Sequence, residues 1–178
     1  MKLRQSTGFT LIELLLVVAI IGIIAAIAIP GMLRARISGN EASAIGSMRA
    51  VVSAQSTYAS SCANGGYAQT LEDLAKAPGT SPSGFVGPDI KSNGILKSGY
   101  YVNIGQGTGA ATVTLAASTC NTSASDAVDK YFAESHPITV GSTGQRSFGT
   151  NQRGAIFQDM TGTTFTAALV EAATTPVQ

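Results

Sequence analysis

The chain has 178 residues, 12% of them charged, and a formal net charge of +1. That is enough for one long helix and one modest domain, and the absence of a large basic block gives nucleic-acid binding no support. One histidine and no tryptophan argue against a multi-histidine metal site and leave little for acid–base catalysis.

Met1–Gly8 is short, basic and polar, and Phe9–Leu33 is then almost wholly apolar. At 1.5 Å per residue this stretch spans about 37 Å, enough to cross a hydrocarbon core of about 30 Å. Lys2 and Arg4 precede it, which places the N-terminus in the cytoplasm and the rest outside; Arg34 and Arg36 weigh against that orientation. Glu13 is the only charge between Arg4 and Arg34. A carboxylate in hydrocarbon costs at least about 2.5 kcal/mol, so its partner is expected from elsewhere. Ala25–Ala28 has the small residues of a secretory cleavage site, but the apolar core is too long and Glu13 is a needless cost in a discarded segment.

The run Gly8-Phe9-Thr10-Leu11-Ile12-Glu13, followed by Leu14–Ile23 and by Pro30 near the end of the apolar stretch, resembles the class III signal of type IV pilins and type II secretion pseudopilins. The resemblance implies cleavage between Gly8 and Phe9 by a prepilin peptidase and N-methylation of Phe9 by the same enzyme. It also implies that Glu13 pairs with the N-terminal amine of an adjacent subunit in a filament. Independently, cleavage would leave a cationic amine on Phe9 one turn from Glu13, and a buried charge is tolerable when paired, acting as a register device more than a source of stability. The plain alternative is a membrane helix that tolerates a carboxylate near the interface. Pro30 inside a helix removes one hydrogen bond and clashes one turn back, so Pro30-Gly31 predicts a kink or local melting. In the pilin family the stretch between positions matching Gly22 and Pro30 is described as extending within filaments; a static bend is the alternative.

Beyond Leu33 the pattern turns amphipathic. Ile37, Ala44, Ile45, Met48, Val51 and Val52 recur at helical spacing, with Arg34, Arg36, Asn40, Glu41, Arg49 and Gln55 elsewhere. The helix is expected to end near Tyr58, before the Ser60–Gly66 breaker cluster. Cys62 and Cys120 lie in no CxxC motif, which disfavours zinc or thioredoxin-like chemistry. In an exported domain they read as one disulfide closing a long loop, otherwise as two buried thiols.

Residues 62–99 read as the connection from helix to sheet, with a short helix over Ala68–Lys76 capped by Thr70 and then broken by Pro78, Pro82, Gly84, Gly87 and Pro88. Strands are expected at Gly99–Ile104 and Ala111–Ala117, joined as a hairpin through Gly105–Gly109, and at Tyr131–Glu134, Arg146–Thr150 and Ala155–Gln158, the last two joined by Asn151–Gly154. The segment from Gly144 to Phe157 is similar to the closing hairpin of some pilins and pseudopilins, more loosely than the N-terminal match. Phe165, Leu169 and Val170 suit a further edge strand or short helix, and Thr174–Gln178 is expected to be loose.

The fold class is therefore α+β: a long N-terminal helix, apolar in its first half and kinked near Pro30, packed on a C-terminal antiparallel sheet, the pilin fold that the resemblance implies. Its parts are a leader (1–8), a transmembrane or filament-core helix (9–33), an amphipathic helix (34–59) and a globular β domain (60–178). Asp126 and Asp129 are the nearest candidates for the calcium loop of major pseudopilins, but lack a clustered ligand spacing, so no metal or cofactor is expected. Ser135 and His136-Pro137 lack a nucleophile motif such as GxSxG, so catalysis is not expected either. The leading function is a structural subunit of a type IV pilus. The alternatives are a type II secretion pseudopilin and, third, a bitopic membrane protein that binds a ligand and never polymerises. The implied partners are copies of the same chain, a prepilin peptidase and a pilus or secretion assembly platform. The precursor is expected in the inner membrane and the assembled subunit in an extracellular filament.

Overall fold

A computed structural model describes residues 8–79, 81–174 and 176–177. Residues 1–7 of the expected leader, with Lys2 and Arg4, lie outside the described residues. The chain divides into two compact units between Arg36 and Ile37.

Helix α1 (Leu11–Ser61) runs without a break through Pro30 and Gly31, so the local melting expected there is not present in the single chain. It outlasts the expected end near Tyr58 by a turn. Cys62 N donates to Tyr58 O at 2.9 Å and Gly65 N to Ala59 O at 2.8 Å. The chain then turns away through Asn64 and Gly65, both left-handed (φ 49° and 92°).

Within the second unit, Ala44, Met48, Val51, Ala54 and Tyr58 of α1 are buried in one core with Tyr100, Val102, Ile104, Tyr131, Ala133 and Phe148. Each large side chain so buried contributes roughly 1.5–3 kcal/mol. The face does not divide as its polarity suggests, because Glu41 and Gln55 are buried too. Gln55 behaves as a backbone mimic: Nε2 donates to Ala68 O at 2.7 Å and Oε1 accepts from Ala68 N at 2.9 Å. Short helix α2 (Leu71–Ala75) follows, and Thr70 Oγ1 accepts from Asp73 N at 3.2 Å as its cap.

Among the described residues seven strands follow: β1 (Ile95–Lys97), β2 (Tyr100–Gln106), β3 (Thr112–Thr114), β4 (Ala127–Val128), β5 (Tyr131–Pro137), β6 (Ser147–Asn151) and β7 (Ile156–Asp159). The main sheet has the order β1-β2-β5-β6-β7, antiparallel at every pairing. Strand β1 falls in the stretch expected to be connecting loop. Its tight turn to β2 uses Ser98 and Gly99, both at positive φ (50° and 75°), as a twisted two-residue hairpin requires.

The expected hairpin between β2 and β3 is not formed. Strand β2 pairs with β5, Tyr100 opposite Pro137 through Gln106 opposite Tyr131, and Gly107 N continues the ladder to Lys130 O at 2.9 Å. Strand β3, shorter than expected, pairs with β4 in a separate two-stranded sheet. Residues 107–130 are thus an excursion from the main sheet, pinned to the end of α1 by a Cys62–Cys120 disulfide and by Cys120 N donating to Cys62 O at 3.1 Å.

The β6–β7 hairpin turns as expected, with Gly154 N donating to Asn151 O at 2.9 Å. Its outer face carries helix α3 (Ala167–Ala172), capped by Thr166, and Phe157, Phe165 and Val170 form a second small core there. The C-terminal end is not loose throughout: Val177 N donates to Ile156 O at 2.8 Å.

Candidate functional site

The apolar stretch is where this chain departs most from a self-sufficient fold. Phe9 (76% exposed), Ile12 (75%), Ile27 (75%) and Met32 (69%) are among the most exposed large apolar side chains described. The α1 helix is long and apolar enough to cross a membrane, and none of its most apolar window is buried by the rest of the chain. Exposed apolar area on this scale marks a surface that something else covers.

At its head, Gly8, Phe9 and Thr10 are exposed and precede the helix. Thr10 Oγ1 accepts from Glu13 N at 3.3 Å and donates to Glu13 Oε2 at 3.4 Å. Thr10 thus caps the first turn through its hydroxyl, without the return bond from the cap's backbone N–H that completes a capping box, and the Glu13 carboxylate lies where the helix dipole favours one. This role stands beside the ion-pair and interface readings of Glu13, and the Thr10–Glu13 spacing is its signal in the sequence. Glu13 is exposed, and among the described residues no cation pairs with it. Gly22 stands in the helix interior with nothing within 4 Å of where a Cβ would sit. Glycine there costs about 1 kcal/mol relative to alanine, and no neighbour in this chain requires it.

In the second unit Glu41, which the sequence pattern sets off the apolar stripe, is buried in a polar tie. Glu41 Oε1 accepts from Gln145 N at 2.9 Å and Arg146 N at 3.2 Å, while Oε2 accepts from Arg146 Nε at 3.0 Å and Arg146 Nη2 at 2.7 Å. Burial pushes the Glu41 carboxyl up, but the Arg146 guanidinium and the two N–H donors outweigh it and hold the pKa below its ordinary value. Tyr100 donates its hydroxyl to Arg146 O at 2.8 Å. The start of the closing hairpin is thereby fastened to α1. No sequence periodicity marks Glu41, because its partner lies 105 residues away.

The other candidates have structural partners. Asp126 Oδ1 accepts from Ala116 N at 2.8 Å and Asp129 Oδ1 from Ala111 N at 2.7 Å, so both carboxylates hold the excursion's backbone. Among the described residues no group of three or more His, Cys, Asp or Glu is placed to hold a metal ion. Ser135 and His136, adjacent on β5, point to opposite faces of the sheet and do not form a dyad. His136 Nδ1 instead lies 2.8 Å from Glu134 Oε2. Burial raises the Glu134 pKa, opposed by its hydrogen bonds to His136 and Asn103.

The N-terminal segment matches the family described as the prokaryotic N-terminal methylation motif over residues 3–29. Over 54 residues the chain is 44% identical to the type IV major pilin protein PilA of Myxococcus xanthus, covering 30% of this chain and 24% of that one. Over 39 residues it is 56% identical to the type IV wide pilus major component PilA4 of Thermus thermophilus, covering 22% of this chain and 30% of that one. The chain thus matches less than a third of the length of either relative. No solved structure matches.

Proposed function

We propose that this chain, whose N-terminal segment is that of the type IV pilin family with its class III signal, is a structural subunit of a type IV pilus. The observation that carries the reading is an apolar helix left exposed by its own fold, headed by the Glu13 carboxylate, which no cation meets among the described residues.

In this account the precursor sits in the inner membrane with its N-terminus in the cytoplasm. A prepilin peptidase cuts between Gly8 and Phe9, which the exposed, non-helical backbone at that junction suits, and methylates the new Phe9 amine. Residues 9–33 then leave the membrane, at an assembly platform, and form the filament core, while the β domain that follows Ser61 faces outward. Glu13 receives the amine of a neighbouring subunit and sets the stagger between copies. The Thr10 cap leaves most of its acceptor capacity free for that pairing. Gly22 and Pro30 weaken the intervening helix, so the segment can extend when subunits pack.

The test is electron microscopy of cells with and without the gene. Loss of long surface fibres is the expected result. Intact fibres with blocked protein export would instead assign the chain to a secretion pseudopilus.

A further inference from the structure

Arg34 and Arg36 end the apolar stretch, and the geometry points to a phosphate-binding collar: a ring of two guanidinium groups that grips lipid headgroups at the outward membrane interface and fixes the depth of the precursor. This rests on the membrane-spanning reading above and goes beyond it by assigning a ligand to two residues.

Three observations carry it. First, the uncharged run between Glu13 and Arg34 is Leu14–Leu33, which as a helix is about 30 Å long, the thickness of a hydrocarbon core. When Arg34 lies at one interface, Glu13 lies at the other, and Gly8-Phe9 is beyond it on the cytoplasmic side. Second, the two arginines are two positions apart, about 200° around the helix and only about 3 Å along it. A protein partner touches one face of a helix, whereas a plane of headgroups surrounds it. Third, both arginines are exposed, and among the described residues neither side chain makes a hydrogen bond or ion pair. Arg36 lines a shallow recess with Ile29, Met32 and Leu33, the setting in which an arginine can cover apolar surface with its stem and reach a headgroup with its charge.

Arginine suits the role because its fork donates two parallel hydrogen bonds to a phosphate. A basic residue at an anionic surface favours the anchored position by about fivefold, and two together by about thirtyfold. The collar also explains why the chain carries two arginines where the orientation rule disfavours them.

The chain has no tryptophan, so Ile23→Trp, midway between Glu13 and Arg34, supplies a single fluorescent reporter. The full-length precursor carrying it is placed in phosphatidylglycerol vesicles brominated either deep or shallow on the acyl chain, and in vesicles of a phosphate-free galactolipid brominated the same way. The collar predicts preferential quenching by deep bromines in the phospholipid. That preference falls by about half or more when Arg34→Gln and Arg36→Gln release the anchor. It falls equally for the unaltered collar in galactolipid, and Arg34→Lys with Arg36→Lys restores part of it. A deep-quenching preference unchanged by the Gln pair or by loss of lipid phosphate overturns the collar and leaves the spanning reading standing; failed assembly of the Gln variant in that case assigns the arginines to contacts between copies. A reporter quenched in neither position overturns both.

Discussion

Cutting the Glu41–Arg146 tie tests whether α1 and the closing hairpin are fastened where the structure places the fastening. The Glu41 side chain is 8% exposed and that of Arg146 31%. Removing one partner from a fully buried pair costs about 3–5 kcal/mol, and the partial exposure of Arg146 moves the value to the lower end. Arg146→Ala is therefore expected to cost about 3 kcal/mol and Glu41→Gln about 2 kcal/mol, the latter because a neutral amide still accepts from the two backbone N–H groups. Arg146→Ala also removes a guanidinium that stands 5.6 Å from the Phe148 ring, so Glu41→Gln is the cleaner of the two. In a domain of this size the losses lower Tm by roughly 6–12 °C and 4–8 °C. The assay is near-ultraviolet circular dichroism of the full chain in detergent, which reads the packing of Tyr58, Tyr100 and Phe148. The pH dependence has a definite sign. The folded Glu41 pKa lies below the ordinary 4.5, so its contribution is fully present above pH 4.5 and is lost as pH falls through the depressed folded value. Both variants should show less of this acid loss than the parent. A Tm lowered by less than about 2 °C in both variants, or an undiminished acid loss, would refute the assignment.

Reduction of Cys62–Cys120, or Cys62→Ser with Cys120→Ser, opens a loop of sequence separation 58. It should cost up to about 4 kcal/mol in the chain-entropy picture, seen as a lower Tm with reductant in the parent and no reductant effect in the variant. For Glu134 the pH effect runs the other way: burial raises its pKa, so its stabilisation is fully present below pH 4.5 and lost as pH rises through the raised value. Glu134→Gln should flatten that loss and raise Tm at neutral pH, which melts across a pH series will check. Gly149→Ala puts a Cβ 2.8 Å from Val170 Cγ2 and 3.1 Å from Phe165 Cγ, and overpacking should cost about 1–3 kcal/mol; an unchanged denaturant midpoint would show that α3 yields freely.

What was legible in the sequence is what local chemistry dictates. The apolar run, the Thr70 cap and the Asn151–Gly154 turn each announce themselves within a few residues. The Gly8–Glu13 motif does so too, since it is read by family pattern. Pairings across long separations were not legible. Strand β3 looked like the partner of β2 because a glycine-rich turn lies between them, yet β5 takes that edge and β3 turns to β4. Glu41 and Gln55 fall outside the apolar stripe, yet each is buried against a partner that polarity alone does not reveal. Strand β1 is three residues long, too short for an alternating pattern to register. The Thr10 cap over Glu13 is visible in Thr10-Leu11-Ile12-Glu13 but is masked by the stronger ion-pair reading.

That ion pair is the centre of the account, and the Glu13→Val variant addresses it most directly. The measurement is the amount of filament sheared from cells, alongside the N-terminal mass of subunits left in the membrane. The account predicts a chain that still begins at Phe9 and still carries its added methyl group but yields almost no filament. That is the behaviour of a carboxylate needed for docking and not for processing. Filament in normal yield from the Glu13→Val chain would contradict it and leave Glu13 as no more than a first-turn carboxylate held by the Thr10 cap.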